Sequence, residues 1–128
     1  MAMDEVRRHT LYTRRWRDKN RAEYNRESRR RNKAYRSKVR VEMIFNYGGK
    51  CVCCNEKEPR FLTLDHINND GNMERRRGPR SSQSHMLNLK LRRLGWPKSA
   101  HQLMCWNCNS GRAVNGGICP HEEAKWTK

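Results

Sequence analysis

Cys51-Val52-Cys53-Cys54 and Cys105-Trp106-Asn107-Cys108 decide how this chain folds. Each holds a C-x-x-C step, which aims two sulfurs at one point, and two such steps supply the four thiolates of a tetrahedral Zn²⁺. Cys51, Cys54, Cys105 and Cys108 are therefore the expected ligands of a structural zinc, because four thiolates close the coordination sphere. Fifty residues lie between Cys54 and Cys105, against about fifteen to twenty in a plain zinc ribbon, so the ion clamps a folded insert. Cys53, adjacent to Cys54, cannot form the usual knuckle and is read as a buried apolar thiol. Cys119 and His121 offer two more donors, but the sequence suggests no partners for them, and no second metal site is expected.

Working outward from the clamp, Phe61-Leu62-Thr63-Leu64-Asp65-His66 reads as a short strand. Phe61, Thr63 and Asp65 fall on one side and Leu62, Leu64 and His66 on the other. Ile67 to Arg80 is expected as a loop, opened by the turn residues Asn68-Asn69-Asp70-Gly71 and carrying the basic tract Arg75-Arg76-Arg77-Gly78-Pro79-Arg80. Ser84 can cap a short helix with Leu87, Leu91 and Leu94 on its apolar face, closed by Gly95 and Pro97. His101 to Cys105 reads as a second strand paired with the first. A helix from Trp106 to about Val114 follows, with Trp106 in the core, and Asn115-Gly116-Gly117 stops it. The tail from Ile118 to Lys128 carries little pattern.

Upstream, residues 7–40 hold fifteen Arg or Lys against three acids, which is +12 of the chain's net +16. No Gly or Pro interrupts this block, and its Arg, Lys, Glu and Ala content favours helix. The expectation is one long helix, or two in series, solvated in its N-terminal part. Tyr35, Val39, Met43 and Tyr47, widened by Ile44 and Phe45, form a stripe that docks the C-terminal third on the zinc domain. Gly48-Gly49 ends the helix. The expected organisation is an α+β fold: a basic helical extension over 1–47, a zinc domain over 48–117 with an insert at about 68–99, and a tail over 118–128.

With 34% apolar and 33% charged residues, the chain has little to bury, and a metal staple compensates for a small core. The basic excess, with a pI near 10.3, points to a polyanionic partner. No apolar run suits a membrane span, and the N-terminal residues lack a signal-peptide core. Reduced, metal-bound thiols in a cytoplasm are expected rather than disulfides.

Asp65-His66 ends a strand close to one knuckle, and Asn109 directly follows the other. A carboxylate and an amide oxygen suit a hard cation such as Mg²⁺, and a histidine suits proton removal from water. Cys51-x-x-Cys54, Leu64-Asp65-His66-Ile67 and Leu103-Met104-Cys105-x-x-Cys108-Asn109 together resemble the ββα-metal nucleases of the HNH superfamily, in the four-cysteine zinc branch found in phage-encoded nucleases and recombination endonucleases. The resemblance covers residues 48 to about 115. It implies hydrolysis of double-stranded DNA to 5′-phosphate and 3′-hydroxyl ends, with His66 as general base and Asp65 and Asn109 holding a catalytic Mg²⁺ or Mn²⁺. Ala100 stands where the pattern's middle asparagine would be, and Asn109 where its last histidine often is.

Arg29, Arg30, Arg31, Arg36, Arg75, Arg76, Arg77 and Arg80 are the expected phosphate contacts. His9, His85 and His121 are read as solvated or structural. The alternatives to a nuclease are a non-catalytic zinc-dependent DNA-binding protein and an RNA-binding zinc protein. A monomer in the cytoplasm of a bacterium or phage-infected cell is expected, with a dimer as the alternative.

Overall fold

The computed structural model describes residues 2–77 and 84–126, except for the side chains of residues 2, 3, 74, 75, 77 and 124–126. It divides into two compact units, Met1–Arg36 and Ser37–Lys128. The first contains α1 (Ala2–Lys19) and the beginning of α2 (Arg21–Asn46). Asp4 and Glu5 in the first turn of α1, and Arg17 and Lys19 in its last, complement the helix dipole. The junction is Asn20, where the helical hydrogen bonds continue: Asn20 N donates to Trp16 O at 2.9 Å and Tyr24 N to Asn20 O at 2.9 Å. The Asn20 side chain also donates to Trp16 O, at 2.8 Å, and this competition with the backbone marks the break. Arg17 lies over the Tyr24 ring at 5.6 Å. No described residue before Ser37 is buried, so helicity in this unit rests on intrinsic propensity.

The second unit holds the core. Val39, Met43, Ile44 and Tyr47 of α2 and its end are buried, whereas Tyr35 and Phe45, expected on the same stripe, are exposed. Residues 37–47 thus belong with the compact unit and not with the extension. Gly48 and Gly49, both at positive φ, close the helix, and Gly49 N reaches back to Ile44 O at 2.9 Å. Three polar anchors fix this segment. Arg40 donates to Leu62 O at 2.6 Å and Pro59 O at 2.9 Å. Glu42 pairs with Arg92 at 2.9 Å. Tyr47 Oη donates to Pro97 O at 2.7 Å, with its ring edge-on to Trp96.

β1 (Leu62–His66) and β2 (His101–Cys105) form a two-stranded antiparallel sheet with Leu62 opposite Cys105, Asp65 opposite Gln102 and His66 opposite His101. α5 (Trp106–Val114) starts directly from β2 and packs on both strands. The result is a small α+β unit.

Several expectations are corrected. The stretch 67–80 is not a plain loop, since Gly71–Arg77 forms α3; Met73-Glu74-Arg75-Arg76-Arg77 are strong helix formers once the turn before them is made. The next helix, α4 (Ser84–Arg93), ends before Leu94, which is exposed. Trp106 is exposed rather than in the core, because Cys105 and Cys108 direct the inner face of α5. The strand does not alternate cleanly: Phe61 lies outside it and is exposed, while Asp65 is buried. The tail contains α6 (Pro120–Trp126), which packs on α5.

Removal of residues 1–36 should leave the thermal unfolding midpoint of the remainder within a few degrees of the full chain. Removal of residues 1–47 deletes Val39, Met43, Ile44 and Tyr47 from the core and should abolish cooperative unfolding. Circular dichroism melts of the two truncations decide between these boundaries.

Candidate metal centre and adjoining site

Each knuckle is a turn built by backbone bonds around sulfur. Cys51 N donates to Glu56 O at 2.8 Å and Asn55 N to Cys51 O at 3.0 Å, with Asn55 at φ 63°, a left-handed conformation that asparagine tolerates. Val52 N donates to Leu103 O at 3.0 Å, tying this knuckle to β2. At the other knuckle, Cys105 caps α5 by accepting from Cys108 N at 3.4 Å. The Sγ atoms of Cys51, Cys54, Cys105 and Cys108 all lie within 4.8 Å of one another. Cys54 and Cys105 are 3.6 Å apart, close to the edge of about 3.8 Å of a tetrahedron with Zn–S bonds of about 2.3 Å. The four expected ligands therefore converge, and the donor set suits a structural zinc.

The thiols are in unlike environments. Burial raises Cys51, but backbone hydrogen bonds from Cys54, Cys105 and Cys53 outweigh it and bring that thiol down to about 7. Burial pushes Cys53 up to about 11, with Cys119 adding to the effect. Cys108 is raised by burial and by the neighbouring thiols of Cys105 and Cys54. Crowded sulfurs resist ionising together unless a cation joins them.

The other predicted site residues lie around the end of β1. Asp65, 4% exposed, forms a close ion pair with Arg112 of α5 and accepts from Gln102 Nε2 at 2.7 Å on the same oxygen. Arg112 also donates to His66 O at 3.0 Å, to Ile67 O, and through Nε to Gly117 O at 2.9 Å. One guanidinium thus fastens the strand end, the following turn and the end of α5. The His66 ring stands 4.7 Å from the His101 ring. Gly71 also lies close to this ring: an added Cβ there would stand 2.8 Å from His66 Nδ1. Asn109 is partly exposed in the first turn of α5. Among the described residues, the close-set groups of three or more Cys, His, Asp or Glu donors contain neither Asp65 nor His66. A cation at Asp65 would share the carboxylate with Arg112.

The basic residues fall into two sets. Arg29, Arg30, Arg31 and Arg36 are exposed on α2 in the first unit, and Arg30 is paired with Glu27 at 2.8 Å. In α3, Arg76 is exposed; the side chains of Arg75 and Arg77, and Arg80 as a whole, lie outside the described residues. No described helix is long and apolar enough to cross a membrane.

Sequence reasoning missed Arg112 and Gly71. The only signal for Arg112 was its place one turn after Cys108, on the face that the knuckle turns inward. Gly71 looked like turn chemistry and serves as a flat wall beside the histidine. Cys53, Cys119 and the exposed His121 also meet here, at Cys108.

Arg112→Ala would leave the Asp65 carboxylate buried without its counter-charge, and should cost about 3–5 kcal/mol. Arg112→Lys should recover only part, since an ammonium cannot reproduce the guanidinium fork. Urea unfolding of the two variants checks both.

Compared with known protein families, with curated proteins and with solved structures, the chain matches none.

Proposed function

We propose that this chain is a zinc-stapled DNA endonuclease whose His66 activates water and whose basic helices hold the phosphate backbone. The observation that carries the reading is the setting of His66. It closes β1 opposite His101, its ring lies against Gly71, and the helix bearing Asn109 packs on both strands. A histidine held at a strand end beside another imidazole and a helix start suits the removal of a proton from water. The four-cysteine clamp holds the strand and helix together so that this geometry survives contact with a large substrate.

Asp65 and Asn109 are the residues that would hold a Mg²⁺ or Mn²⁺, which would supply Lewis-acid chemistry when bound. His66 takes the proton from the attacking water. Arg112 keeps the Asp65 carboxylate oriented and fixes the carbonyls of His66 and Ile67, so its role is positioning. The products carry 5′-phosphate and 3′-hydroxyl ends. Phosphate binding falls to the exposed arginines of α2 and to Arg76 of α3, in a chain of net charge +16.

A second reading, a zinc-dependent DNA-binding protein without catalysis, is favoured by one specific contact: the Asp65 oxygen that accepts from Gln102 is already neutralised by Arg112. The readings separate on supercoiled plasmid with Mg²⁺ or Mn²⁺. Wild type should nick it, and His66→Ala should lose activity by a factor of about 10²–10⁴ with DNA affinity retained. Gly71→Ala should also slow turnover at unchanged affinity, because the new methyl displaces the His66 ring. Equal binding with no nicking by wild type under either metal leaves the second reading. In both, affinity should fall with salt at a log–log slope of about −7 if about eight phosphates are neutralised, as measured by fluorescence anisotropy between low and moderate salt.

A further inference from the structure

Cys119-Pro120-His121 lies beyond the motif that defines the clamp, yet α6 brings it back to the clamp. Gly111 makes this possible: an added Cβ there would stand 2.9 Å from Pro120 Cδ, so the start of α6 lies directly on the backbone of α5. Cys119 is 1% exposed and Cys108 is fully buried. His121 Nδ1 is 3.3 Å from Cys108 Sγ and 3.6 Å from Cys119 Sγ. Cys53 completes a group of four donors that all lie within 4.8 Å of one another.

We infer that Cys53, Cys108, Cys119 and His121 hold a second zinc ion, and that Cys108 bridges it to the first. Two tetrahedra sharing one vertex require seven donors. The chain supplies that number with all six of its cysteines and one histidine. The distances suit it: with bonds of about 2.3 Å to sulfur and about 2.0 Å to nitrogen, a tetrahedral N···S edge is about 3.5 Å. Both N···S distances fall beside that value. Hydrogen bonding alone accounts for the arrangement less well, since one ring nitrogen serves one S–H donor and here two sulfurs approach it. None of the six cysteines is in a disulfide. On binding, each thiol releases its proton to solvent, and six thiolates against two dications leave the centre with two negative charges.

Metal analysis of the full chain tests this directly. Native mass spectrometry after zinc saturation should show two ions per chain, and Cys119→Ser/His121→Ala should show one while retaining the thermal transition of the clamp. Wild type holding a single zinc at saturation overturns the proposal, as does a double variant that still holds two with unchanged affinity. Because that variant could fail to fold, ¹¹³Cd replacement in the wild type supplies a second criterion. Two resonances are expected, one from a four-sulfur site and one moved by a nitrogen ligand, with scalar coupling between them through Cys108 Sγ. A single resonance, or two without coupling or nitrogen character, overturns the shared-thiolate centre.

Discussion

Two thiol pairs separated by fifty residues can share one ion only if the chain between them returns to its starting point. That closure organises residues 37–128. Of the side chains most completely removed from solvent, Cys51, Cys108 and Cys119 stand beside Val39, Met43, Leu62, Leu103 and Met104. A core of this size contributes modestly, whereas structural zinc binding in small peptides reaches about 10–16 kcal/mol near neutral pH. The latter matches or exceeds the whole net stability of an ordinary domain, about 5–15 kcal/mol. A zinc ion held by these four thiolates would therefore supply free energy on the scale of the whole net stability of such a unit. The strands, five residues each, are too few and too short to persist without it.

The second constraint is electrostatic. Asp65 is buried in a unit with little apolar mass, and a carboxylate in that position needs a partner that also satisfies its hydrogen bonds. Arg112 answers because its donors are spread in a plane: it meets Asp65, two carbonyls of the β1 end, and Gly117. The clamp brings α5 to the sheet, and Arg112 then sets where α5 stops relative to it. His66 inherits its position from both. Its backbone carbonyl is held by Arg112 and its ring lies close to His101 and Gly71.

Much of this was legible in the sequence because it depends on local spacing. The C-x-x-C steps named four converging sulfurs, and apolar runs located both strands and their pairing. Gly48-Gly49 ended α2 where expected. What sequence hid depends on long-range returns of the chain. The α2 stripe begins at Val39 and not Tyr35, because burial depends on where the partner surface starts and not on the period alone. Cys53 looked like a spare thiol and Cys119-Pro120-His121 like an incomplete donor pair. The two lie more than sixty positions apart, and only the return of α6 onto α5 brings them to Cys108. Arg112 gave almost no signal, since one arginine among so many announces nothing until its carboxylate is found beneath it. Trp106 misled because an aromatic at a helix start usually turns inward, and here the sulfur atoms occupy that face.

Composition and metal content are linked by the same logic. A chain with a third of its residues charged and a net +16 repels itself when compact, and it gives up surface that could otherwise be apolar. In a larger domain, a bigger core would offset that repulsion. Here the interior is instead rich in cysteine, whose sulfurs are placed where they could hold a cation and occupy little volume. The exterior is then released to carry arginine, and unburied helix before Ser37 can be devoted almost entirely to charge. A positively charged exterior and a cysteine-rich interior are in this sense two consequences of one choice of residues. Exchanging surface arginines for apolar residues would lessen the self-repulsion, but it would also remove the positive charge that the surface carries.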